Sequence, residues 1–212
     1  MDARTPLDID RITRAAVELL DEVGLSGLST RRLAAKLGVR SPTLYWHVRD
    51  KAALLDLVAE AVCADAFDID ASLPWCDQLA DGLRQFRALL LAHRDVAELL
   101  RERPPTGPHR LGHVETTLRI LLGAGFDGPD AAAISRLLTA HVLSSVPPPR
   151  PRPDPAELAA MRERMAAYPS LRRVAPEFDR QDPGAVFELG VQVILDGLAA
   201  RLAQPPPPGP PR

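Results

Sequence analysis

Apolar residues in this chain recur at three- and four-residue steps and almost nowhere at two. That spacing gathers them on one face of a helix, whereas a half-buried strand needs strict alternation. There is no alternating run of β-branched and aromatic residues and no Asn-Gly hairpin signal. The pattern predicts an all-α chain. Over residues 8–23, Ile9, Ile12, Ala16, Leu19, Leu20 and Val23 share a face, and Gly24 predicts a left-handed stop. A short helix is expected over 30–37, capped by Ser29 or Thr30 and ended by Gly38. A third begins at once, with Ser41 as its cap and Pro42 in its first position, and carries Thr43 to His47. Asp50 predicts the start of a fourth over 51–67.

Further helices are expected over 75–92, 95–100, 108–123, 129–145, 155–167 and 183–203. The last is apolar nearly all round, which predicts burial on most sides. In a chain this small that points to packing against a second copy through Ile134, Leu138, Val186, Leu189, Val193, Ile194 and Leu198. A core helix within one subunit is the competing reading. Two proline runs, 147–155 and 205–211, cannot be helix. They predict a loop and a disordered tail at 205–212, although a partner domain could read them.

Composition excludes several classes. At 212 residues the chain can bury a sizeable core, and it holds no apolar run long enough for a membrane span. The first residues lack the apolar core of a signal peptide. Cys63 and Cys76 are too few for a disulfide scaffold or a four-cysteine zinc site, so a cytoplasmic protein with reduced thiols is expected. No glycine-rich phosphate loop, nucleophile elbow or His-Glu-x-x-His run occurs, so no enzyme is predicted. His93, His109, His113 and His141 have no metal-like arrangement, though the step from His109 to His113 could share a helical face. Neither a metal site nor a cofactor is expected.

The chemistry concentrates in residues 29–51. A short helix, a glycine turn and a second short helix make a helix-turn-helix pattern. Arg31, Arg32, Lys36, Arg40, Arg49 and Lys51 stand against one acid, Asp50, in a chain of net charge −2. Local positive charge displaces counterions from phosphates. The third helix offers Ser41, Thr43, Tyr45, Trp46 and His47 at the end a recognition helix points at base edges. The competing reading is a solvated charged face, with Tyr45 and Trp46 in the core.

Residues 8–67 resemble the DNA-binding domain of the tetracycline-repressor (TetR) family. The resemblance rests on the stretches 15–24, 27–34 and 37–39, and above all on Pro42-Thr43-Leu44-Tyr45-Trp46-His47-Val48, followed by Lys51 and Leu54-Leu55. It continues more thinly through Trp75, Phe86-Arg87, His93-Arg94-Asp95 and Gly125-Phe126. It implies that the second and third helices dock on the major groove of an inverted-repeat operator. Arg31 is then the arginine that reads a guanine, through its two ring acceptors. Thr30, Pro42, Thr43, Tyr45, His47 and Lys51 match positions that touch phosphates or bases, with Arg32, Ser41 and Trp46 beside them, and Leu44 packs. Arg40 and Ser41 depart from the tetracycline repressors, which implies a changed operator.

The resemblance also implies that residues 68–204 bind a small molecule and dimerise. The ligand would alter the spacing of two reading heads through the fourth helix. The tetracycline branch holds a magnesium–drug complex, and this chain departs where those ligands should stand. Phe67 replaces a drug-binding histidine, Gly82 an asparagine and Thr117 a glutamine. The metal-binding histidine position falls at about Leu99 and Leu100, and the glutamate segment has become residues 147–155. Metal-assisted tetracycline binding is therefore not expected. The expected pocket is more apolar: Phe67, Phe86, Leu100, Pro105, Val114, Thr117, Leu118 and Leu137, each of which could equally be plain core. The expected function is a repressor released from its operator by an effector. A ligand-responsive activator, or a helical adaptor using the proline runs, is the alternative.

Overall fold

The computed structural model describes residues 7–64, 67–148, 154–178 and 180–204. Among them are eleven helices and no strand: α1 (Ile9–Gly27), α2 (Thr30–Leu37), α3 (Ser41–Tyr45), α4 (Lys51–Val62), α5 (Trp75–Ala92), α6 (Val96–Glu102), α7 (Pro108–Ala124), α8 (Gly128–Ser144), α9 (Pro155–Met165), α10 (Pro169–Phe178) and α11 (Pro183–Ala203). The chain is all-α, as its periodicity predicts. The expected disordered tail, 205–212, and the middle of the first proline run, 149–153, lie outside the described residues.

Short-range side-chain caps define most starts. The Asp8 carboxylate accepts the Arg11 N–H at 2.8 Å, Ser29 Oγ the Arg32 N–H at 3.3 Å, and Asp50 Oδ1 the Ala53 N–H at 2.7 Å. Each satisfies one of the donors that a helix leaves unpaired at its first turn. Gly38 ends α2 in the left-handed conformation, φ 67°. Gly24 takes φ 72°, and one short turn to Gly27 follows the kink. A Cβ there would meet Asp95 Oδ2 at 2.6 Å, so the position requires glycine twice over.

Four expectations need correction. Ser41 does not cap α3: Arg40 is the N-cap residue, no side chain caps the helix, and Pro42 is its second residue. The helix ends at Tyr45, so Trp46 and His47 fall in the turn behind it. α4 stops at Val62 rather than reaching Phe67, whose φ is 82°. Finally α10, with Pro176 inside it, lies where no separate helix was expected.

α1 packs against α2 and α4, and α2 against α3, around fully buried Ile12, Leu20, Leu33, Leu44 and Leu54. α5, α7, α8 and α11 form the second bundle, around Leu90, Leu121 and Leu138. α4 joins the two by packing on α6 and α7. α11 divides the two readings made of it. Phe187, Val191, Leu195 and Leu198 are buried within the subunit, while Val186, Leu189 and Val193 are 47%, 65% and 62% exposed. On α8, Ile134 and Leu138 are already buried in the subunit's own core. Ile194 is partly buried against that core.

Candidate DNA-reading face and effector cavity

α3 is held to the reading head by buried Leu44 and, just beyond its end, buried Val48. Between those anchors the remaining side chains face outward. Trp46 is 89% and Tyr45 49% exposed, so neither is a core residue. Pro42, Thr43, His47, Arg31, Arg32 and Lys51 are exposed, and Thr30 and Ser41 half-buried. A tryptophan that wet is a poor use of apolar surface unless something covers it.

The six basic groups of this segment are unequal. Lys36 bonds Glu22 at 2.7 Å and Glu18 at 3.1 Å, on α1. Its pKa is raised, chiefly by the hydrogen bond it donates to Glu22 and then by the one it donates to Glu18. Arg32 donates to the Gly27 carbonyl at 3.1 Å. Arg49 lies 3.5 Å from Asp50. Arg31, Arg40 and Lys51 form no side-chain hydrogen bond or ion pair among the described residues. They are the guanidinium and ammonium groups of this segment that no described side chain engages.

The second half holds a cavity of about 280 Å³. The end of α4, α5, α6, the segment 103–105, α7 and α8 enclose it. Phe67, Phe86, Leu100, Pro105, Val114 and Thr117 line it, as expected positions for the pocket. Leu118 and Leu137 do not: Leu118 packs against the core and Leu137 is half-exposed on α8. Leu138, read from the sequence as an interface residue, lines the cavity as well. Gly82, where the resemblance places an asparagine, also lines it, and a Cβ there would sit 3.0 Å from Ile69. The unforeseen lining adds apolar side chains such as Ile69, Leu83 and Ile120 and a polar set that includes Gln78, Arg101, Arg103, Arg110 and His113. Among the described residues no cluster of histidine, cysteine or carboxylate could hold a metal ion.

Two contacts tie this cavity to α4. Arg103 forks onto the Asp56 carboxylate, Nε at 2.8 Å and the terminal nitrogen at 2.6 Å. Glu60 accepts the His109 N–H at 2.9 Å near the start of α7. Glu60 sits so close to Gly107 that a Cβ there would collide with its carboxylate. Burial pushes the Arg110 guanidinium down from its usual value, against the pull of Cys63, Glu60 and Asp56. Burial likewise pushes the Cys63 thiol up to about 11. A third connection lies outside the cavity: Asp95 accepts the Leu25 N–H at 2.9 Å, and Asp21 takes His93 Nδ1 and the Arg94 N–H, each at 2.9 Å. The turn before α6 is thereby bound to α1.

A solvent-facing helix-turn-helix joined by one helix to a cavity defines a class: a DNA-binding regulator that senses a small molecule. The comparisons with known proteins agree. Residues 12–58 match the model of the bacterial regulatory proteins of the tetR family, and residues 72–202 that of the tetracyclin repressor-like C-terminal domain. The class A tetracycline repressor from transposon 1721 of Escherichia coli is 38% identical over 203 residues, 93% of each chain. ActR of Streptomyces coelicolor, solved in complex with actinorhodin, superposes with a TM-score of 0.78 at 29% identity, over 94% of this chain and all of that one. A TetR variant from Acinetobacter baumannii AYE, in complex with minocycline, gives 0.72 at 30% identity, over 94% of this chain and all of that one.

The chain belongs to the tetR family of bacterial regulatory proteins. It is a ligand-responsive DNA-binding transcriptional repressor and not an enzyme. Proteins of this family bind operator DNA and small-molecule effectors, and are typically dimers. No helix among the described residues is long and apolar enough to cross a membrane.

Proposed function

We propose that the protein binds an inverted-repeat operator as a homodimer and leaves it when an effector fills the cavity. The carrying observation is the set of unpartnered groups on the reading head: Arg31, Arg40 and Lys51 around exposed Tyr45 and Trp46. Residues 8–67 serve as the reading head with its linker, and residues 68–204 as the effector-binding and dimerising half. Arg31 reads a guanine. Thr30, Arg32, Ser41, Pro42, Thr43, Tyr45, Trp46, His47 and Lys51 contact phosphates, sugars or base edges. Two copies pair through the exposed stripe Val186, Leu189 and Val193 on α11. An isologous two-fold pairing turns one reading head into two, which is why the operator is an inverted repeat.

Release works through α4. A ligand that moves the 103–110 segment moves Arg103 and the start of α7, and with them Asp56 and Glu60. Such a coupling amounts to ~1–3 kcal/mol in known allosteric systems. The test is selection of bound duplexes from a random DNA library with the purified full-length protein. Recovery of one inverted repeat, bound by a dimer, is the expected result. Recovery of only salt-sensitive, sequence-blind binding refutes this reading.

A further inference from the structure

The cavity wall carries charge of one sign. Arg101, Arg103 and Arg110 line it, and no described lining residue is an aspartate or glutamate. The three arginines differ in how they are compensated. Arg103 is neutralised by the forked contact with Asp56. Arg110 is only 8% exposed, and its two hydrogen bonds go to main-chain oxygens, those of Pro104 at 3.1 Å and of Arg103. Arg101 donates to the main-chain oxygens of Leu143 and Val146 at the end of α8. Neither Arg101 nor Arg110 is hydrogen-bonded to a carboxylate. Glu60 acts on Arg110 through space, yet desolvation of the guanidinium outweighs it, together with Asp56 and Cys63. A buried guanidinium of this kind is costly alone and gains most from an anion brought to it.

Two further features shape the ligand. The Phe67 ring lies 4.0 Å from the His113 ring and 5.8 Å from the Phe86 ring, centre to centre, each at 44°. These rings offer faces and edges to a flat aromatic guest. Gln78 is anchored by its Nε2, which donates to the main-chain oxygens of Leu73 at 2.7 Å and Ala71 at 3.3 Å. Its Oε1 is buried with no hydrogen-bond partner. Such an acceptor is satisfied by a donor, and a ligand hydroxyl supplies one.

Building on the repressor reading above, we propose that the effector is a planar hydroxylated aromatic anion bound without a metal ion. Its carboxylate or acidic phenol meets Arg110 and Arg101, its ring system packs against Phe67 and Phe86, and its hydroxyl reaches Gln78 Oε1. A divalent cation or a cationic ligand would face the arginines with like charge and with no carboxylate in the described wall to offset it.

The test is calorimetric titration of the full-length protein with 6-hydroxy-2-naphthoate, its neutral carboxamide and its aminomethyl analogue, all in excess EDTA. The carboxylate should bind about tenfold tighter than the carboxamide, and the amine weakest. Arg110→Gln should erase most of that preference, and Gln78→Leu should weaken the hydroxylated compound more than plain 2-naphthoate. Arg110 also holds the 103–105 segment, so Arg101→Gln provides a second variant at an exposed site; it should narrow the same preference. Equal or tighter binding of the carboxamide or amine, dependence on added magnesium, or no binding of the carboxylate at its solubility limit overturns the proposal. Operator binding is scored separately in the duplex selection. A protein that binds its operator but prefers the neutral compound refutes the effector class alone. A protein that binds the carboxylate but no specific duplex refutes the repressor reading.

Discussion

The two halves of this molecule place their chemistry on opposite sides of the surface. The reading head keeps a closed core and turns its functional groups outward on two short helices. The second half does the reverse: its distinctive polar groups, Gln78, Arg103 and Arg110, line an interior cavity. The outward design separates stability from function, because an exposed arginine contributes little to folding. The inward design merges them, since a cavity residue both packs the fold and meets the ligand. α9 and α10 extend the contrast within the second half: neither contains a buried residue, Phe178 at the end of α10 is 58% exposed, and Tyr168 between the two helices is 63% exposed.

The largest expected effect breaks the reading head from within. Leu44 is 1% exposed and pins α3. Leu44→Ala should cost about 2–5 kcal/mol of stability, as buried leucine truncations do. Chemical denaturation measures this, and operator binding should fall with it. Leu137→Ala, at a half-exposed position, should leave subunit stability nearly unchanged.

A pH titration of stability sharpens the inward side. The buried Cys63 thiol is pushed up from its ordinary 9.0 to about 11. The native state therefore holds a proton that the unfolded chain releases first. Stability tied to this group is fully present below pH 9 and is lost as pH rises to 11, by about 2–3 kcal/mol. The difference in unfolding free energy between the protein and Cys63→Ala should change by that amount across the window. An unchanged difference would show that Cys63 is as wet as an unfolded thiol.

The outward side predicts a loss of binding without a loss of fold. Arg31→Ala should weaken specific operator binding by about 1–3 kcal/mol, the range for a side chain reading a base bidentately. Its melting temperature and dimer should be preserved. Tyr45→Ala should behave in the same way. Equal operator affinity in both variants would place the DNA-reading surface elsewhere.

The smallest effect separates two cations five residues apart on one short element. Lys36 is engaged by Glu18 and Glu22, whereas Arg31 and Arg32 sit at the other end of α2. Lys36→Ala should change operator affinity less than Arg31→Ala does, in a gel-shift titration at fixed salt. It should also leave a smaller change in the salt dependence of binding than Lys51→Ala.

The reading head was the more legible half. Its caps, Asp8, Ser29 and Asp50, act within three residues, and local signals of that kind can be read in order along the chain. Gly24 and Gly38 both take positive φ, as stops should. Even here local reading had limits. Ser41 looked like a cap because of its type and the following proline, yet Arg40 holds that place. Lys36 belongs to the basic cluster in the sequence, yet Glu18 and Glu22, a helix away, engage it in the folded state.

In the second half the apolar part of the lining was partly foreseeable: Phe67, Phe86 and Val114 line the cavity, but Leu118 and Leu137 do not. Arg103 and Arg110 were missed. An arginine reads as solvated in sequence, and Arg103 meets Asp56 across forty-seven residues. α11 shows the same limit, because an all-round apolar helix does not reveal which face is covered by its own subunit.

Sequence alone determined the helical class, the order of most elements and the identity of the reading head. Those follow from periodicity, caps and turn residues, which act over a few positions. Tertiary structure alone decided which cations remain free, which apolar residues line a cavity and which polar atoms are left buried without a partner. Those outcomes depend on burial and pairing between residues far apart in the chain. The same guanidinium is a surface charge in one packing and a costly interior one in another.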